Sequence, residues 1–430
     1  MATTVTSSSR RMLPSHVAYA LAAGIIGLGL FAAGVPSPLY GIYREAWGFS
    51  PEVLTLVYGV YALGVLATLL LAGRLSDEVG RRPVLISALG ALIGATVLFI
   101  LAESVVWLFF ARALQGLATG AILSAGSAAL VELHPRRDPV DAGLANGVAS
   151  AGGLGLGVLV SAAMVELLPS PRVLPFVLLA VLFAVALTGV LRMPETVEER
   201  SRPRLTPQRP SVPPAVRGPF VLAALGALSS WSIAGLFLSL GPQLSAALFH
   251  TTSHLASGAG VFALSGSAAV AQLVLRRVRP WAGTAGGSVA LAAGMVLIVV
   301  AASAGSGLLY LAGAVIGGSG FGVAFLSALR GMTAALPADH RAGVLSAFYV
   351  VAYLALSLPA IAAGFVVDSI GLTQTFEVFG SAVAALALLV AGLAWRSRPR
   401  ANDQGSHQGH PRARRVAGRE KFSPVPSTIS

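Results

Sequence analysis

Gly73-Arg74-Leu75-Ser76-Asp77-Glu78-Val79-Gly80-Arg81-Arg82-Pro83 lies between two long apolar runs. These eleven residues carry five charges and two glycines, and the sequence on either side is nearly uncharged. A loop this short and this basic joins two membrane-spanning helices on the cytoplasmic side, where Lys and Arg accumulate. Gly73 and Gly80 permit close helix approach and a tight reversal where a side chain would clash. Asp77 is placed to meet the positive end of a helix dipole. Arg81, with Arg82 beside it, can pair with a carboxylate at a neighbouring helix end, and Glu132 is the best-placed acid.

The rest of the chain extends the same reading. Of its 430 residues 55% are hydrophobic and 11% charged, and the mean hydropathy is +0.80. A soluble domain carries about 25% charged residues. No core absorbs this much apolar surface, so lipid is the solvent for most of it. Cysteine is absent, which excludes disulfides and thiolate metal sites.

Apolar windows of spanning length run over 17–40, 53–72, 83–102, 105–130, 142–166 and 173–191, and then over 219–247, 255–275, 283–303, 307–330, 343–367 and 373–394. The predicted fold is an all-α integral membrane protein with twelve transmembrane helices in two six-helix bundles, 17–192 and 218–396. A cytoplasmic tail (1–16), a Pro- and Arg-rich cytoplasmic linker (193–217) and a polar cytoplasmic tail (397–430) flank them. The first run is longer than a signal-peptide core and counts as a retained span.

The net charge of +12 would suggest nucleic acid in a soluble protein. Here all but three of the 29 Lys and Arg fall in the tails, the linker and alternate loops, on one side of the membrane. The exceptions are Arg44 and Arg172, in loops on the other side, and Arg112, within a span. Topology explains that asymmetry and places both termini in the cytoplasm. The halves also echo each other. Gly116 and Gly120 in span four answer to Gly318 and Gly322 in span ten, and Ala142-Gly143-Leu144 answers to Ala342-Gly343-Val344. Two parallel repeats around a central cavity follow.

Within the spans, Arg112 stands out. A span-centre arginine costs about 2.5–3.5 kcal/mol on the insertion scale. Helical spacing puts Arg112, Gln115 and Thr119 on one face, with Gly116 beside them. The guanidinium either faces a wet cavity and an acceptor or snorkels to the outer surface. Pro36-Ser37-Pro38 should distort the end of span one near the outer mouth. Candidate cavity residues are Tyr40 after it, Tyr58 and Tyr61 in span two, the helical row Ser232, Leu236, Ser239 and Gln243 in span seven, and Tyr349 and Tyr353 in span eleven. No Asp, Glu or His sits mid-span in spans one, seven, eight or ten. One cation with apolar and hydroxyl lining suits neutral, amphipathic or anionic solutes better than cations. Nucleotide-binding and metalloprotease signatures are absent, so neither enzyme activity, cofactor nor metal is expected.

The loop resembles the signature between the second and third helices of the major facilitator superfamily, Gly-x-Leu-(Ala/Ser)-Asp-x-x-Gly-Arg-(Arg/Lys), at every fixed position. Arg112 to Gly116 resembles that family's fourth-helix motif, Arg-x-x-Gln-Gly. Ser150 to Val158 loosely resembles its antiporter motif Gly-x-x-x-Gly-Pro, with Val158 where the proline belongs. The resemblance implies a secondary transporter working by alternating access. It implies a loop that docks on span eleven, around Arg341–Ser346, and holds the outward-facing state. It implies an Arg112 engaged in proton transfer or substrate contact. The second-half counterpart, Leu275-Arg276-Arg277-Val278-Arg279-Pro280, lacks the aspartate and both glycines, and no gating role passes to it. The expected activity is proton-driven, multidrug-like efflux of a small organic solute by a monomer in the cytoplasmic membrane. The alternatives are an importer or facilitator of a small metabolite or sugar-like solute and, more remotely, a non-transporting sensor or scaffold.

Overall fold

The computed structural model describes residues 12–197, 209–336 and 340–398. Arg10 and Arg11, the middle of the linker and the basic cluster from Arg412 to Lys421 lie outside them. Every regular element among the described residues is helical. The first half comprises α1 (Ser15–Gly34), α2 (Tyr40–Trp47), α3 (Pro51–Leu71), α4 (Leu75–Val79), α5 (Arg81–Ile100), α6 (Val105–Leu133), α7 (Pro139–Leu167) and α8 (Leu174–Val190). The second comprises α9 (Arg217–Ser239), α10 (Gly241–Phe249), α11 (His254–Val274), α12 (Pro280–Ala304), α13 (Gly307–Ala334), α14 (Arg341–Ile370) and α15 (Leu372–Arg396). Eleven of these are long and apolar enough to cross a membrane, and α8 is a shorter apolar twelfth. Large apolar side chains such as Phe110, Val185, Val274 and Phe365 stand exposed on the outside. Lipid accounts for such a surface, and the chain is a multi-pass membrane protein.

Local chemistry sets the helix ends. Asp138 accepts from the Val140 amide at 2.8 Å, and Pro139 needs no donor in the first turn, so α7 starts there. Ser253 and Ser306 cap α11 and α13 in the same way. Two spans break at prolines, the first where Pro36-Ser37-Pro38 leads one to expect a distortion and the second where continuity is expected. Helix α1 stops at Gly34 before Pro36 and Pro38 and α2 begins at Tyr40, where the first window ends, while the seventh window divides into α9 and α10 before Pro242. Proline removes the amide that the carbonyl four residues back requires.

The duplication is written in close backbone contacts. A Cβ on Gly116 would lie 2.3 Å from the Tyr61 carbonyl oxygen, and one on Gly318 would lie 2.1 Å from that of Leu264. Gly120 meets Val65 at 2.8 Å as Gly322 meets Ala268 at 2.6 Å, and Gly34 meets Leu154 at 2.6 Å as Gly235 meets Leu356 at 2.0 Å. Glycines and carbonyls shift by the same sequence offset, give or take one residue. Small-residue packing of this kind lets membrane helices touch backbone to backbone. One apolar cluster is built from the first half alone, from Ala18 to Met193. A second joins Tyr58, Tyr61 and Val65 of α3 to residues of α9, α11, α12, α14 and α15.

Candidate functional site

The break in span one creates acceptors that need donors. Without a Pro36 amide, the Ala32 carbonyl has no helical partner, and Gln115 Nε2 serves it at 2.8 Å. Arg112 Nη1 donates to the Ala33 carbonyl at 3.2 Å and to Gln115 Oε1 at 2.7 Å. Its Nε and Nη2 both donate to the Tyr40 hydroxyl, at 2.8 and 2.5 Å. Ser161 Oγ donates to the Val35 carbonyl at 2.7 Å. Arg112 is 1% exposed, so it does not snorkel. Every acceptor named for it is neutral, and its charge rests against the rings of Tyr40 and Tyr61, 5.5 and 5.3 Å from their centroids.

The loop forms a second polar cluster. Gly80 has φ +112°, a backbone that favours glycine. A Cβ there would also lie 2.4 Å from Glu195 Oε2. Glu195 accepts from the amides of Arg81 at 2.9 Å and Arg82 at 3.2 Å, and so caps α5. Asp77 sits in the first turn of α4 and pairs with Arg81. Arg81 Nη2 reaches Glu132 Oε1 at 2.8 Å, its Nη1 donates to Ser76 Oγ at 2.7 Å, and Thr196 Oγ1 donates to Glu132 Oε2 at 2.5 Å. Arg82 donates to the Leu191 carbonyl, and Ser124 Oγ donates to that of Gly73 at 3.0 Å. The network ties the loop, the end of α6 and the start of the linker into one unit. Glu195 escaped the sequence reading. Its signal was an acid directly after the sixth span, on the same side as the loop.

The two rims differ. At the rim opposite the loop the halves are joined closely. Ser37 Oγ donates to the Leu238 carbonyl, freed by Pro242, at 2.9 Å. Glu166 accepts from the His254 amide at 2.7 Å. A Cβ on Gly364 would lie 2.2 Å from Thr55 Oγ1, and one on Gly59 2.7 Å from Ile361. At the loop rim α7 and α11 also touch, a Cβ on Gly147 lying 2.3 Å from Gln272 Oε1, and beside that contact a pocket of about 460 Å³ opens to the rim, lined by His134, Asp141 and Val148 on one side and Leu273 and Arg276 on the other.

The remaining predicted residues divide. Tyr58, Tyr61 and Tyr353 are buried together where α3 meets α14, and Tyr349 is half-buried in the same cluster. Thr119 is buried on the Arg112 face. Ser232 turns back to the Leu228 carbonyl of its own helix at 2.6 Å. Gln243 lies in α10, beyond the break. The anchor expected at Arg341–Ser346 falls partly on Arg341 and Ala342, whose side chains lie outside the description. Trp231 was missed. Its ring meets Tyr353 edge-on at 4.9 Å and Phe325 at 5.4 Å. The helical row drawn through Ser232 passed over it, although it is the one indole in that span.

Comparison with known proteins follows these lines. The multidrug resistance protein MdtL of Escherichia coli (strain K12 / DH10B) is 34% identical over 122 residues, 28% of this chain and 31% of that protein. MdtL of Shigella boydii serotype 18 gives the same figures. The match thus spans about a third of the curated relatives' length. The crystal structure of the human organic anion transporter MFSD10 (TETRAN) superposes with a TM-score of 0.65 at 17% identity, covering 89% of this chain and 100% of that one. At that identity the likeness concerns the fold. The family model described as Major Facilitator Superfamily matches residues 19–359. That match runs from the first span into the eleventh, across both repeats and both polar clusters, and the chain belongs to the major facilitator superfamily.

Proposed function

We propose that this transporter exports small organic solutes across the cytoplasmic membrane by alternating access, driven by protons entering in exchange. The loop and both termini face the cytoplasm, as the basic residues dictate. In this orientation the sealed rim is the outer one and the cavity beside Asp141 and Arg276 opens inward, a state suited to loading from the cytoplasm. The observation that carries the reading is that contrast between rims, built on two repeats able to rock against each other. Kinship with a multidrug resistance protein over 122 residues favours outward transport. In this scheme the Asp77–Arg81–Glu132 network is the inner latch, and it docks on the start of α14 when the inner face closes. Arg112 with Gln115 and Tyr40 holds the bent first span, and the protein works as a monomer.

The test is transport into everted vesicles from cells producing the chain, with a fluorescent efflux dye and an imposed inward-acidic gradient. Dye accumulation that collapses with the gradient is the expected result. Accumulation indifferent to the gradient removes proton coupling, and dye movement in the opposite sense removes export.

A further inference from the structure

Of the eight buried side-chain polar atoms without a partner among the described residues, two belong to aromatic residues of the cluster between the halves. They are the indole Nε1 of Trp231 and the hydroxyl of Tyr58. Tyr58 is 2% exposed. A buried donor left unsatisfied costs about 1–3 kcal/mol, and native structures rarely retain one without a use. An indole N–H only donates, so whatever satisfies it supplies an acceptor. The walls are flat. Trp231 stands against Tyr353 and Phe325, and Tyr353 packs in one cluster with Tyr58 and Tyr61. Such surfaces favour planar rings in edge or offset contact. The electrostatic bias comes from Arg112, 5.3 Å from the Tyr61 centroid and met, among the described residues, by the neutral acceptors described above. A ring face can attract a cation, but the guanidinium already occupies that of Tyr61.

We infer that Trp231 and Tyr58 form a donor pair that recognises a planar aromatic solute bearing a carbonyl or carboxylate acceptor, and that a permanent cation of the same shape is rejected. The inference rests on the transport reading and names its substrate class. Trp231 and Tyr58 discriminate by donating, and Arg112 sets the sign of the field.

The test uses the purified full chain in detergent, without any gradient, and three probes sharing one ring system: 1-naphthoate, 1-naphthamide and (1-naphthylmethyl)trimethylammonium. Calorimetric titration is expected to show the first two binding at least about tenfold more tightly than the third. Trp231→Phe keeps the ring and deletes the N–H. It should weaken naphthoate and naphthamide by about tenfold while holding or raising the Tm of the ligand-free protein, because it removes an unsatisfied donor. Tyr58→Phe should act in the same direction. Equal affinity for the three probes, or binding of none, overturns the assignment. So does a Trp231→Phe variant with unchanged affinities, the result expected if only water serves the indole. A lower ligand-free Tm in that variant also overturns it, by marking the N–H as partnered. Failure here leaves gradient-driven efflux in vesicles untouched, whereas intact binding without such efflux would sink the export reading alone.

Discussion

Spans one and seven break at corresponding places, and the two breaks are mended differently. Around Pro36 the freed carbonyls are met from within the first half, by Gln115, Arg112 and Ser161. At Pro242 the freed Leu238 carbonyl is met from the other half, by Ser37. The repeat equivalent of Arg112 is Ala314, fully buried and apolar. The same polarity marks the loops. The first-half loop gathers Asp77, Arg81, Glu132 and Glu195, while its counterpart offers the Arg276 carbonyl to Arg330 at 2.8 Å. Duplication therefore accounts for shape, and the charged machinery belongs to one copy. The Ser37 contact lies where the two copies meet, and it is the element able to report their relative motion.

Breaking that comparison begins with Arg112→Ala. The substitution leaves the Tyr40 hydroxyl, the Ala33 carbonyl and Gln115 Oε1 without their donor at one stroke. Each buried neutral acceptor left without its donor costs about 1–3 kcal/mol, and transport should vanish. Arg112→Lys should fall between, since an ammonium lacks the planar fork that reaches Tyr40 and Ala33 together. Ala314→Ser, at the equivalent position, should change stability by less than about 1 kcal/mol, its hydroxyl turning to its own helix. Thermal unfolding in detergent and vesicle transport measure both. Comparable losses at Arg112 and Ala314 would mean that the halves are chemically alike after all.

The next largest effect tests the shared part. Gly116→Ala and Gly318→Ala each drive a methyl into a facing carbonyl oxygen, at 2.3 and 2.1 Å. Overpacking of this sort costs about 1–3 kcal/mol, and the two variants should lose the same amount within error. A neutral result at either glycine would show that its half tolerates looser packing, and the duplication would then be topological only.

These glycines were legible in the sequence because a repeat offset is a local pattern seen twice. The loop was legible because charge between apolar runs is local too, and it led directly to the Arg81–Glu132 pair. Other features were hidden, for two reasons. Hydropathy does not register a missing amide, so the window 219–247 ran straight through Pro242, whereas Pro36-Ser37-Pro38 announced a distorted end of span one without saying which carbonyls it frees. The Ala32 carbonyl that Gln115 serves is free because of a missing amide, and for Arg112 helical spacing gave its face but not its partners. Glu195 meets Arg81 across 114 residues, a distance over which periodicity carries no information.

A smaller difference is expected between the two loops. Asp77→Asn keeps the fold, because Arg81 still holds Glu132, but it removes the anion that completes the network. Transport should slow by about tenfold. Arg276→Ala, in the counterpart loop, should stay within about twofold of the parent rate. Equal slowing at both positions would assign gating to each loop and remove the asymmetry.

The smallest effect is the most direct probe of motion. In Ser37→Ala the Leu238 carbonyl has no donor while the sealed rim is closed, but water reaches it once that rim opens. The substitution therefore penalises one state by about 1 kcal/mol, equivalent to about a fivefold shift in the open-to-closed ratio. The chain has no cysteine, so a single cysteine replacing Ile361, where α14 meets Gly59, reports opening by its reaction with a membrane-impermeant maleimide. Labelling from the rim side should rise about fivefold in the Ser37→Ala background. The repeat equivalent, Ser239, spends its hydroxyl on the Gly235 carbonyl of its own helix at 2.8 Å. Ser239→Ala should leave labelling unchanged. If both variants raise it equally, loosened helices rather than a cross-half latch explain the gain. If neither does, the Ser37 bond is incidental to closure, and the outer seal rests on the apolar contacts of α3 with α14 and on the Glu166–His254 contact.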